Sequence, residues 1–118
     1  MPEYIITDKD FLYRRIPLKP FFWKEINGKK VPSSFAFKTK PDEDGLSVNI
    51  AALTSVDETI LDVEKFGVAE FSARIPLETG YKCIYDPQPE NKAHALIEGN
   101  TNRIAKKLSL AAKQVFPD

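Results

Sequence analysis

The last third of the chain, from Tyr81 to Phe116, restricts the fold more than any other stretch. Tyr81-Lys82-Cys83-Ile84-Tyr85 is rich in strand formers, and Asp86-Pro87-Gln88-Pro89 closes it because proline cannot donate to a ladder. Ala93-His94-Ala95-Leu96-Ile97 follows as a second strand. After Gly99, Asn100 or Thr101 can cap a helix. In that predicted helix Ile104, Leu108, Ala111, Ala112 and Val115 share an apolar face, and Arg103, Lys106, Lys107 and Lys113 occupy the other side. A strand–loop–strand–helix unit needs further strands to bury it.

The upstream sequence supplies them. Phe11-Leu12-Tyr13-Arg14-Arg15-Ile16 reads as a strand stopped by Pro17 and Pro20. Phe21–Ile26 and Lys29-Lys30-Val31 flank Asn27-Gly28, a pair that accepts positive φ at both centres of a hairpin turn. Ser34-Phe35-Ala36-Phe37 is a further strand candidate. Leu46–Ile50 alternates apolar and polar residues, as a half-buried strand does. Ser55 and Glu58 have capping-box spacing, which predicts an acidic helix over Val56–Phe66 with Gly67 as its stop. Val68–Ala73 returns to strand, and Pro76 opens a short helical turn ending at Gly80. The expected fold is α+β: one mixed or mainly antiparallel sheet of five or six strands, with two amphipathic helices on one face.

A chain of 118 residues, 42% hydrophobic, suits a single domain over 1–118, with 1–10 as a loose lead-in. No apolar run approaches the ~20 residues that span a bilayer, so no membrane role is expected. Met1-Pro2-Glu3-Tyr4 lacks the layout of a signal peptide, and the single Cys83 has no partner for an internal disulfide; both suggest the cytoplasm. Net charge is zero, against a general DNA-coating role. Its distribution is uneven. Lys9 to Lys40 carries nine Lys/Arg and two acids, whereas Asp42 to Glu70 carries eight acids and one lysine. Such blocks form opposed patches or offset each other in the fold.

Few residues carry chemistry. His94, the only histidine, suits acid–base work near neutrality. Glu98, four residues on along the strand, lies about 13 Å away at Cα, so Asp86 or Asn91 across the loop is the better orienting partner. In Arg14-Arg15, strand alternation sends one arginine inward, where it needs an anion from the fold or from a ligand. Ser33 and Ser34 offer hydroxyls to that anion. Cys83, in an apolar strand, reads as an inert thiol. No zinc-type spacing or nucleotide-binding glycine motif occurs, so no metal and no cofactor is expected. Asp42-Glu43-Asp44 reads as a solvated turn. Tyr13, Phe21, Phe22, Trp23, Phe35 and Phe37 interleave with lysines and arginines, the ingredients of a single-stranded nucleic acid surface, although a small sheet protein spends most aromatics on its core.

Leu12-Tyr13-Arg14-Arg15-Ile16-Pro17, Pro32-Ser33-Ser34, Gly45-Leu46-Ser47-Val48, and Asp86-Pro87 through Asn91 to His94-Ala95 resemble stretches of small stand-alone bacterial proteins, cyanobacterial ones among them, to which no function is assigned. The resemblance covers most of the chain in short pieces. It implies a bacterial, cytoplasmic, single-domain protein and nothing about activity. It marks Arg14, Arg15, Ser33, Ser34, Asp86, Asn91 and His94 as positions to test.

The leading expectation is a binding or interaction module that self-associates or engages a protein partner. The alternatives are a small enzyme or ligand-binding protein acting on an anionic ligand through His94 with Arg14 or Arg15, and single-stranded nucleic acid binding through the basic aromatic N-terminal region.

Overall fold

The computed structural model describes residues 4–116. Its elements in chain order are β1 (Phe11–Pro17), β2 (Trp23–Ile26), β3 (Lys29–Pro32), β4 (Gly45–Ile50), α1 (Val56–Ile60), β5 (Phe66–Ser72), α2 (Arg74–Glu78), β6 (Cys83–Tyr85), β7 (His94–Glu98), α3 (Ala105–Ala111) and β8 (Lys113–Phe116). Six strands form one antiparallel sheet in the order β6-β7-β4-β1-β5-β8, and β2 and β3 form a separate hairpin. The hairpin turns at Asn27 and Gly28, whose φ values of 52° and 79° are those a tight hairpin turn demands.

Strand pairing decides which residues share a face. Tyr13 sits opposite Asn49, and Asn49 opposite His94, so these three lie on one face together with Arg15. Leu12, Arg14 and Ile16 take the other face. There Leu12, Ile16, Leu46, Ile50, Phe71 and Ile97 form the core with Phe37 and, from the last helical segment, Ile104 and Leu108. Polar groups in this core are spent internally. Thr101 Oγ1 donates to the Phe37 carbonyl at 2.6 Å and lies 2.7 Å from Thr39 Oγ1. Ile6 is buried and Tyr4 packs edge-on against Tyr85, so residues 4–10 dock on the sheet without regular structure.

Several expectations need correction. The acidic helix ends at Ile60, not Phe66. Leu61 takes φ 60°, and the chain then turns through Asp62 to Lys65. Ser55 does cap it, accepting from the Glu58 N–H at 3.1 Å. Gly67 belongs to β5, where a Cβ would come within 2.8 Å of the Trp23 ring. The last helix stops at Ala111, and Val115 lies in edge strand β8, where the strand-forming Val115-Phe116 pair contributes to the sheet. Ser34–Phe37 is a 3₁₀ turn, which lets Phe37 enter the core while Phe35 stays outside. The two helices do not share a face. Asn49, between core-facing Val48 and Ile50, bonds to Thr59 of α1, which places α1 on the face opposite α3.

Candidate functional site

β7 begins at His94, immediately after the loop that Pro87 and Pro89 stiffen. Backbone bonds between Gln88 and Asn91, 2.9 and 3.0 Å, close that loop into a tight turn. The turn brings Asp86 back beside His94. His94 Nδ1 lies 3.0 Å from the Asp86 carbonyl oxygen and 3.2 Å from its carboxylate Oδ2. Both partners are acceptors, so Nδ1 carries the proton and the Nε2 lone pair is left for another partner. The imidazole is held firmly, with its side chain only 12% exposed.

Across the sheet, Asn91 Nδ2 donates to Asn49 Oδ1 at 2.8 Å, and Asn49 Nδ2 donates to Thr59 Oγ1 at 3.1 Å. The Thr59 carbonyl accepts from Arg15 Nη1 at 3.3 Å, and the Arg15 guanidinium lies over the Phe66 ring, 5.0 Å from its centroid. One chain of bonds thus connects the loop, β4, α1 and β1. Among the described residues Arg15 has no carboxylate partner; the ion pairs join Lys65 to Asp62, Arg74 to Glu78 and His94 to Asp86. Burial holds the Arg15 guanidinium below its ordinary pKa. A bound anion would reverse that direction.

Arg14 plays a different part. The β1–β4 ladder is registered only at Leu12–Ile50 and Tyr13–Asn49, whereas β1 follows β5 along its full length. Where β1 and β4 part, Arg14 spans the gap, donating from Nε to the Ala36 carbonyl at 3.1 Å and from Nη1 to the Ser47 carbonyl at 2.9 Å. The inward arginine therefore meets backbone dipoles where an anion from the fold or from a ligand was expected. Burial pushes its pKa down to about 10, partly opposed by the charge of Glu43.

These elements enclose a recess of about 80 Å³ lined by Tyr13, Arg14, Arg15, Ser47, Val48, Asn49, Thr59, Asn91 and His94. That is room for several waters or one small oxyanion. Among the described residues no carboxylate lines it. A wider cleft of about 780 Å³, bounded by the 88–94 loop and by Leu53, Thr54, Glu58 and Leu61, shares Arg15, Ser47, Asn49, Asn91 and His94 with the recess. Glu58, Glu90 and Lys92 line this outer part.

Of the residues singled out from the sequence, Arg14, Arg15, Asn91 and His94 line one recess, and Asp86 orients His94 from behind. Ser33 and Ser34 lie elsewhere. Ser33 Oγ donates to the Phe21 carbonyl at 2.8 Å beside the hairpin, and Ser34 opens the 3₁₀ turn. Asn49 and Thr59 join the site without a sequence signal of their own. Asn49 is recognisable only once β4 is known to pair with β7. Of the aromatic set, Phe37 is core, Tyr13, Phe22 and Trp23 are half-buried, and Phe21 and Phe35 are exposed with ring centroids 5.2 Å apart. Cys83 is half-buried and its thiol pKa is raised by burial to about 11, so it stays protonated and unreactive near neutrality. Among the described residues no three His, Cys, Asp or Glu side chains gather as metal ligands, and no helix is long and apolar enough to cross a membrane. No family model, curated protein or solved structure matches the chain.

Proposed function

We propose that the protein binds a small anionic ligand, a carboxylate or phosphate-type oxyanion, in the recess between β1, β4 and the 88–94 loop. The observation that carries this reading is a recess lined by Arg15 and His94, with no carboxylate among its walls and no ion pair to Arg15 among the described residues. Arg15 supplies the fixed charge, held by Phe66 and the Thr59 carbonyl. His94, with Nδ1–H committed to Asp86, turns Nε2 toward ligand or water as a proton acceptor, and as a second donor when protonated. Asn49 and Asn91 fix the width of the recess. The bacterial, cytoplasmic setting expected from the sequence belongs to the same proposal. Self-association, the leading sequence-based expectation, is a separate proposal, argued below from the hairpin groove.

The test is a backbone-amide NMR titration of the full chain with inorganic phosphate, a phosphate monoester and a dicarboxylate. Saturable shifts at Asn49, Asn91, Lys92 and His94 with at least one of them support the reading. No saturable shift at these positions with any of the three would overturn it.

A further inference from the structure

The basic block and the acidic block of the sequence meet within the subunit only at a distance, Glu43 acting on the charge of Arg14 without an ion pair. Among the described residues the ion pairs are Lys65 with Asp62, Arg74 with Glu78 and His94 with Asp86, and none joins residues 9–40 to residues 42–70. The basic block presents a groove of about 420 Å³ beside the hairpin. Leu18, Pro20 and Trp23 supply its apolar lining, and Lys19, Lys24 and Lys30 its charge, against the single acid Glu25. The acidic block presents a knob of matching character. Val63 is 58% exposed at the tip of the turn after α1, between Asp62 and Glu64. The two abut on the surface, because the Leu18 N–H donates to the Lys65 carbonyl at 2.9 Å.

A basic groove and an acidic apolar knob, side by side across one seam, make a self-complementary surface. Rotation by half a turn about an axis along that seam sets the groove of one copy on the knob of the other, and the reverse, twice over. We infer that the chain forms a two-fold dimer in which Val63 of each copy enters the groove floored by Trp23 of the other, with Glu64 meeting Lys19 and Lys24. The inference is independent of the anion recess, which lies on the α1 face between β1, β4 and the 88–94 loop. The occupant is a second copy because the complementary charge and apolar surface are both on this chain.

The experiment is sedimentation equilibrium of the full chain and two charge variants, Lys19→Glu/Lys24→Glu and Glu64→Lys, alone and mixed. The wild type should dimerise, and more weakly as salt rises. Each variant alone places like charges at both contacts and should self-associate about tenfold or more weakly. The mixture should recover a heterodimer, since each contact then pairs opposite signs, and a misfolded variant would not restore it. The single tryptophan, Trp23, gives a second readout through its fluorescence on association. A wild type that stays monomeric, a dimer indifferent to both variants, or a mixture with no recovery would overturn the inference. Salt-sensitive binding of single-stranded DNA by a monomeric chain would reassign the groove to nucleic acid.

Discussion

On the core face of the sheet, Arg14 donates to the carbonyls of Ala36 and Ser47, and the Thr101 hydroxyl donates to the Phe37 carbonyl and bonds to the Thr39 hydroxyl. On the opposite face, Arg15 gives one N–H to Thr59 and rests on Phe66, and His94 commits only Nδ1. The two arginines are neighbours in sequence, yet strand alternation separates their roles. Arg14 ties two backbone segments whose carbonyls would be orphaned without it, and an orphaned buried group costs about 1–3 kcal/mol. Arg15 makes a single backbone bond and, with His94, lines the recess on the α1 face. What each side chain ties together, more than its residue type, separates a structural arginine from a candidate binding one here.

That contrast makes graded predictions. The largest effect belongs to the core. Phe37→Ala removes a fully buried ring that packs edge-on against Phe71, at 5.7 Å between centroids, and should lower stability by about 3–5 kcal/mol in a denaturant melt. Arg14→Met keeps the aliphatic bulk but strands the two carbonyls. It should cost about 2–4 kcal/mol by the same melt while anion binding persists. Loss of binding with unchanged stability would erase the distinction between the arginines. Asn49→Ala breaks the bonds to Asn91 and Thr59, so it should cost about 1–2 kcal/mol and weaken phosphate binding as well.

The last effect is confined to alkaline pH. The folded Cys83 thiol has its pKa raised from 9.0 to about 11 by burial, so between these values the native state holds a proton that the unfolded chain releases. The thiol's contribution to stability is complete below pH 9 and is lost as pH rises through about 11. The stability difference between wild type and Cys83→Ala should shrink across that window. A difference that stays flat from below pH 9 to about pH 11 would show that the thiol ionises alike in both states.

Local chemistry made much of this molecule legible. Asn27-Gly28 announced its hairpin, Leu46–Ile50 its strand, although Asn49 is buried beneath α1 and only Ser47 is exposed, and Ser55 its cap. The errors arose where tertiary packing overrode a local pattern. Leu61 and Val63 fitted a helical stripe but lie on an exposed turn, and Val115 fitted one too but completes a sheet edge. Helical spacing alone cannot distinguish a long helix from a short one followed by a turn. At the site, His94 could be nominated as the only histidine, Asp86 as its neighbour across the loop, and Arg15 as one of an arginine pair in a strand. Asn49 and Thr59 could not, since their roles follow from which strands pair and where α1 lands.

The division of labour between the two faces is tested most directly on Arg15→Ala, by measuring thermal stability and phosphate affinity on the same preparation. The expected result is a melting temperature within about 4 °C of wild type and at least a tenfold loss of affinity, since the guanidinium holds ligand more than fold. A variant that melts far lower but binds phosphate as the wild type does would mean that Arg15, like Arg14, is spent on structure, and the recess would lose its claim to be a binding site.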